Sequence, residues 1–428
     1  MHVYTYPPQR MWPQLLARPV SDDRAIETVV TEILKHVQRE GDAAIRRYVE
    51  RFDGVLLHSF EVSGSELQAL ADQVDPKLRE AIECAHKNIE RFHRAQLRPD
   101  IYVETLPGVQ CWRRAVPIER VGLYIPGGTA PLFSTLLMLA TPARIAGCDE
   151  IILCTPSGGV QRLHPALAFA ALLTGVDRVF TIGGAQAIGA MAFGSASVPS
   201  VDKIFGPGNK YVTEAKQLVS RYGVAIDLPA GPSEVAVIAD DSCDPHYVAA
   251  DLLSQAEHGR DSQVLLVSDS ERVIRETLAE IKRQLPLLPR RTIAEAALAS
   301  SRAILVQSVA EGLELLDRYA PEHLIIACRE DERLAAQVQN AGSIFLGNYS
   351  PESAGDYASG TNHTLPTGGY ARAYSGASLD AFMKYITVQK LSLPGLTTLS
   401  DAIIPMAEAE GLRAHANAVR LRIGEEMP

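Results

Sequence analysis

Between residues 23 and 40 the apolar positions Ile26, Val29, Val30, Ile33, Leu34 and Val37 recur three and four residues apart. That period lays them on one face of a helix. Gly41 interrupts the pattern, and Ile45, Tyr48, Val49 and Phe52 resume it up to a stop at Gly54. A third helix is predicted from Pro76, with Leu78, Ile82, Ala85, Ile89 and Phe92 on one side. "YVETLPGVQCWRRAV" then reads as two strands joined at Pro107-Gly108.

From Val121 the texture changes. Short apolar runs ("VGLYIP", "EIILCTP", "RVFTIGG", "KIFGPG") alternate with helical patterns ("HPALAFAALLTG", "AQAIGAMAFG", "NKYVTEAKQLVSRYG"). A second series of runs follows: "SEVAVIAD", "SQVLLVSD", "AILVQS", "HLIIAC" and "SIFLG". Strands alternating with helices predict βαβ units and mostly parallel sheets. Two open α/β layers are therefore expected, one over 105–232 and one over 233–347. "NYSPESAGDYASGTNHTLPTGGYARAYSG", residues 348–376, has no regular period. A loop this long with aromatic and charged content is expected to be ordered and functional. Residues 376–428 return to helix, in "LDAFMKYITVQKLS" and "AEAEGLRAHANAVRLRI".

The 428 residues exceed what one core of about 150 residues takes. With 41 basic and 51 acidic residues the net charge is −10, which argues against nucleic acid and for a soluble protein that handles small molecules. Cys84, Cys111, Cys148, Cys154, Cys243 and Cys328 form no CxxC pair, so buried thiols of a reducing compartment are expected rather than a thiolate metal cluster. "MHVYTYPPQRMWPQLL" lacks the layout of a signal peptide, and the apolar segment around Leu136 is broken by Pro131 and Pro142. The expected location is the cytoplasm, away from membranes.

Three Gly-rich turns follow strands: "YIPGGTAP", "IGGAQAIG" and "FGPGNKY". Their N–H groups suit a phosphate or serve ordinary strand-to-helix turns; GxGxxG is absent. In "LLSQAEHGRDS", Gln255 and His258 are three apart near a helix end. They suit a metal ion, or His258 satisfies terminal carbonyls. Asp356, His363 and His415 are further ligand-type residues. In "RYAPEHLIIA", Glu322 and His323 stand together at the start of a predicted strand. The pair suits proton transfer. The bland alternative is a capping Glu beside a packed His.

In order along the chain, "GLYIPGG", "ATPARIAGC", "GGAQAI", "VDKIFGPGN", "AGPSEV", "DLLSQAEHG", "PEHLII", "SPESAGDYASGTNH" and "AHANAV" resemble the histidinol dehydrogenase family. The resemblance covers nearly the whole chain. It implies an α/β fold of two Rossmann-like open parallel-sheet domains, with N-terminal helices and a C-terminal helical tail exchanged in a homodimer. The divisions expected are a 1–22 arm, a first α/β domain of 23–104 plus 233–375 carrying the catalytic and zinc residues, a second, NAD-binding domain of 105–232, and a swapped tail of 376–428.

The resemblance further implies that Gln255, His258 and Asp356 bind zinc, with His415 of the other subunit completing the set. Those residues, with Ser233, His323 and Glu410, would contact L-histidinol, while Tyr124, Gln186 and Asn209 would line the NAD site. No role is assigned to His363. Two successive oxidations at one carbon, the second needing water, give the adjacent pair distinct tasks. His323 would be the general base and Glu322 would activate water. Zinc would orient the substrate through its nitrogens. Rival readings are a related dehydrogenase for another small alcohol, a zinc hydrolase, and a binding module without catalysis. No HExxH or HxH supports the hydrolase.

Overall fold

Val30, Ile33, Leu34 and Val37 are buried along the helix Arg24–Glu40 in a computed structural model, which describes residues 1–18, 24–127, 131–158, 162–228 and 231–426. The predicted start at Asp23, the centre of "YIPGGTAP" (128–130) and Ala230 of "AGPSEV" lie outside the described residues. The next predicted helices form as Asp42–Asp53 and Pro76–Arg94. Asp75 caps the latter by accepting the Lys77 and Leu78 N–H groups, and Pro76 occupies the first turn, where its missing donor costs nothing. A helix without a predicted counterpart, Gly64–Ala71, starts where Ser63 accepts the Glu66 N–H.

The strands, in chain order, are β1 His2–Thr5, β2 Glu61–Val62, β3 Ile101–Leu106, β4 Val109–Pro117, β5 Arg120–Tyr124, β6 Glu150–Cys154, β7 Arg178–Phe180, β8 Lys203–Phe205, β9 Ala225–Ile226, β10 Glu234–Ala239, β11 Gln263–Ser268, β12 Arg302–Leu305, β13 His323–Ala327, β14 Ser343–Leu346 and β15 Met383–Leu391. The chain divides into two units, residues 1–96 with 118–382, and residues 97–117 with 383–428.

The first unit holds two six-stranded sheets. One has the order β1-β12-β11-β10-β13-β14 and is parallel throughout. The other has the order β2-β7-β6-β5-β8-β9 and is parallel except for β2 against β7. Both contain a doubly wound series that runs outward from a central strand, β10 or β5, and then reverses. β10 and β11 are buried at every position, as strands covered by helices on both faces must be. No helix among the described residues is long and apolar enough to cross a membrane.

Several expected groupings are corrected. The expected first domain joins 23–104 to 233–375. In the structure Val30, Ile45, Val49 and Phe60 share a core with Ile152, Phe180 and Ile188, so most of this segment packs on the β5 sheet, and β2 extends that sheet. Amphipathic helices carry an apolar stripe but no address, so sequence could not choose between two similar layers. Residues 376–382 stay with the first unit, where Phe382 stacks on Phe205 at 4.0 Å between ring centres.

The second unit corrects the tail itself. Residues 383–391, expected as helix, form β15, which pairs antiparallel with β4 from Met383↔Pro117 to Leu391↔Val109. Its partner lies far back in the chain, beyond the reach of local periodicity. β3 pairs with β4 on the other side, and Ile101, Tyr102, Val103 and Leu106 are exposed. The helices Leu393–Ala409 and Arg413–Ile423 follow.

β5 and β8, neighbours at the reversal point of their sheet, approach closely at their carboxyl ends. Gly206 has φ of +119°, and a Cβ there would sit 2.0 Å from the Tyr124 carbonyl oxygen. The buried Asp227 carboxylate accepts the Gly206 N–H at 2.7 Å and pairs with Lys216, whose ammonium donates to the Gly206 carbonyl at 2.8 Å. Gly206→Ala is therefore expected to lower stability by about 2–4 kcal/mol through strain and backbone displacement. Denaturant unfolding of the variant beside the parent chain checks this.

Candidate functional site

Glu234 opens β10 and His323 opens β13, with Val235 and His323 in register. The amino ends of these central strands form the floor of a pocket lined by Ser233, Gln255, His258, Glu322, His323, Asp356, Tyr357 and His363. Gly206, Pro207, Asp227 and Leu228, from the carboxyl ends of β8 and β9, line the same pocket. Amino ends of one sheet thus face carboxyl ends of the other.

Glu322 and His323 are 5% and 4% exposed, at the start of a strand flanked by β10 and β14. The backbone of Glu234 holds both. Its N–H donates to Glu322 Oε2 at 2.8 Å, and its carbonyl oxygen meets His323 Nδ1 at 3.1 Å. Nδ1 also lies 3.6 Å from Glu322 Oε2. A neutral imidazole that donates through Nδ1 leaves Nε2 free to accept a proton. That Nε2 lies 3.6 Å from Asp356 Oδ1, beyond hydrogen-bond length, and has no hydrogen-bond partner among the described residues.

Acidic groups crowd this imidazole. Burial pushes the Glu322 carboxyl up to about 7 and, one helical turn before Gln255, the Asp251 carboxyl to about 7. Glu352 is fully buried and raised well above the usual range by burial. Burial acts against ionised Asp356 too, but His323, His363 and His258 outweigh it and hold its carboxyl below the ordinary value. For His323 burial favours the neutral ring; the Glu322, Glu352 and Asp356 carboxylates prevail and push it up to about 10.

Of the residues expected to hold a metal, the structure brings Gln255, His258 and Asp356 together. Gln255 lies in the last turn of the helix Pro245–Ala256, and His258 follows just past its end. One ligand atom each of His258, Glu352 and Asp356 lie within 4.8 Å of one another. Glu352 Oε2 is buried without a hydrogen-bond partner among the described residues. In the amide orientation that satisfies its neighbours, Gln255 donates to Glu352 Oε1 at 2.5 Å and shares the Glu234 N–H, at 2.8 Å, with Glu322. Imidazole and carboxylate donors beside an unpartnered buried carboxyl oxygen fit a divalent ion of the zinc type.

Glu352 was missed in the sequence. The signal was there: Glu352 and Asp356 are four apart in "PESAGD" and share one face of the helix Glu352–Tyr357. His363 braces the loop, with Nδ1 2.7 Å from the Asp356 carbonyl oxygen and Nε2 3.0 Å from Thr135 Oγ1. Glu410 and His415 belong to the second unit; Glu410 ends the helix Leu393–Ala409, His415 rides on Arg413–Ile423, and both are exposed.

Tyr124 ends β5, Gln186 lies in the first turn of the helix Gly184–Phe193 and Asn209 precedes the helix Lys210–Val219, all at the carboxyl end of the β5 sheet. Tyr124 Oη accepts the Gly184 N–H at 3.0 Å. Asn209 caps the helix Lys210–Val219 through the Tyr211 and Val212 N–H groups. Gln186 is 1% exposed, and neither of its side-chain polar atoms has a hydrogen-bond partner among the described residues. A buried amide left unsatisfied at such a turn is costly, and a ligand that bonds it removes the cost.

Comparison with known proteins gives the family. A family model described as histidinol dehydrogenase matches residues 16–423. The histidinol dehydrogenase of Bacteroides fragilis is 54% identical over 425 residues, 99% of each chain. That of Xylella fastidiosa is 56% identical over 396 residues, 92% of each chain. The crystal structure of histidinol dehydrogenase from Elizabethkingia anophelis superposes with a TM-score of 0.97 at 49% identity, covering 99% of this chain and 98% of that one.

The His323 environment carries a stability signature. A histidine raised from 6.5 in the unfolded chain to about 10 in the fold contributes its full stabilisation below pH 6.5 and loses it as pH climbs through 10. Metal-free protein is accordingly expected to melt at progressively lower temperature across that window. His323→Asn should flatten this slope in a melting-temperature series against pH.

Proposed function

The chain belongs to the histidinol dehydrogenase family, and on that premise we propose that it oxidises L-histidinol to L-histidine through L-histidinaldehyde, with NAD as electron acceptor, one water consumed, and zinc bound beside the substrate. The observation that supports the reading most is the opening of Glu322, His323, Gln255, His258 and Asp356 into one pocket. Acid–base groups, metal-type donors and nucleotide-type turns are rarely assembled without all three being used.

His323 acts in both halves. Held through Nδ1 by the Glu234 carbonyl, its neutral form presents Nε2 to take the hydroxyl proton of the alcohol and later that of the hydrated aldehyde. Glu322 acts between them, removing a proton from the water that adds to the aldehyde. A carboxyl near 7 is basic enough for that task and releases the proton readily at neutral pH. Ser233, at the pocket wall, contacts the substrate. Gln255, His258 and Asp356 hold the metal, with Glu352 orienting the Gln255 amide. Zinc, when bound, would supply a positive charge suited to the nitrogens of histidinol and would offset the carboxylates around His323, favouring the neutral ring. Tyr124, Gln186 and Asn209 bind NAD, which supplies the hydride acceptor.

Glu410 and His415 complete the site from a second copy of the chain. The exposed apolar residues Ile101, Tyr102, Val103, Leu106, Met406 and Leu421 of the second unit support an association of this kind.

Purified protein given L-histidinol should form two NADH per substrate; no NADH formation rejects the reading. His323→Asn should slow both oxidations by about 10²–10⁴-fold. Glu322→Gln should spare alcohol oxidation and impair aldehyde oxidation, and equal damage to both halves in single-turnover assays would rule out the division of labour. Mixing inactive His258→Asn and His415→Asn chains should restore part of the activity if two chains build each site.

A further inference from the structure

Glu234 does more than lend its peptide to the catalytic pair. Its side chain, in a residue 2% exposed, would be an uncompensated buried charge beside Glu322 without a cation. Arg18 provides one from the N-terminal arm. Its guanidinium meets the Glu234 carboxylate in a two-pronged bond, Nε to Oε1 and an Nη donor to Oε2 at 2.8 Å. The same Nη donates to the Tyr319 carbonyl at 2.8 Å, and the guanidinium lies 3.9 Å from the centre of the Tyr319 ring. Glu234 Oε1 also accepts the Gly368 N–H at 3.0 Å.

We propose that Arg18 is a positioning residue for the Glu322–His323 pair, acting through Glu234. Three of the segments that shape the pocket converge on this one ion pair: the start of β10, the turn leading to Glu322, and the loop at Thr367–Gly368. The turn has little freedom of its own. Ala320 adopts φ of +54°, uncommon for a residue with a side chain, and is held there between the end of the helix Val309–Tyr319 and Glu322. Arg18 grips the carbonyl of Tyr319, just before this strained residue, and the Glu234 side chain together. It thereby sets the distance between the Glu234 peptide and the two side chains bonded to it. Only a planar fork both pairs with the carboxylate and stacks on Tyr319, so a lysine replaces the charge without the geometry.

This inference rests on the function proposed above, and the test separates the two. In Arg18→Met, kcat for L-histidinol is expected to fall about 100-fold with KM little changed, the pattern of misplaced chemical groups rather than lost binding. Arg18→Lys should recover only part of kcat. Added guanidinium ion should raise the Arg18→Met rate, where methylammonium at the same concentration should not. Hydrogen exchange followed by mass spectrometry should show the Glu234 amide less protected in Arg18→Met and intermediate in Arg18→Lys. Wild-type kcat in folded Arg18→Met overturns the proposal, as does lost activity with Glu234 protection unchanged. If Arg18→Met fails to fold, Arg18→Lys decides: lowered kcat at an unchanged melting temperature supports the role, and wild-type kcat refutes it. A wild-type chain inactive on histidinol rejects the proposed function alone, since the exchange comparison needs no substrate.

Discussion

The concentration of buried carboxylates around one imidazole governs this structure. Glu322, Glu352 and Asp356 surround His323 where β13 begins, with Glu234 beside Glu322 and Asp251 acting on Glu352, in surroundings that exclude most water. Such a cluster is expensive unless cations or hydrogen bonds compensate it. The chain supplies Arg18 for Glu234, His323 for Glu322 and Asp356, and the Gln255 amide for Glu352. The remaining negative charge suits a metal ion and a substrate bearing nitrogen. Stability given up here is consistent with a site shaped by chemistry rather than by packing.

Two sheets of like topology make the site possible by meeting end to end. The β5 sheet offers the carboxyl ends of its strands, where helix amino termini and Gly-rich turns suit a dinucleotide. The β10 sheet offers the opposite ends, where backbone N–H groups and carbonyls near the strand starts bind Glu322 and His323. Gly206 and the Lys216–Asp227 pair keep the first of these edges close to the pocket. The adjacency of Glu322 and His323 is reconciled in the same way: only at the first residues of a strand do neighbours of opposite pleat reach one cavity.

Legibility followed the range of the interactions. Helices with a strong stripe, such as Arg24–Glu40 and Pro76–Arg94, and buried strands such as β10 and β11, were readable because their signals repeat within a few residues. The strand Met383–Leu391 was misread as helix because its mixed pattern gains meaning only from β4, far back in the chain. Glu352 escaped notice because a lone acid in a loop-like stretch looks solvated, whereas it is fully buried. Arg18 gave no sign at all; an arginine before a proline reads as surface until Glu234 is seen opposite it.

By itself the sequence determined most of the strands and helices of the two layers, their alternation, the family and most of the residue types that carry the chemistry, since each is written in local order and spacing. Tertiary structure alone decided which sheet the N-terminal helices cover, which strand claims residues 383–391, and how Arg18, Glu234, Glu322 and His323 come to share one set of bonds. Those outcomes depend on contacts between segments hundreds of residues apart, where charge pairing and backbone hydrogen bonding in a dry interior select one arrangement among many that local pattern leaves equal.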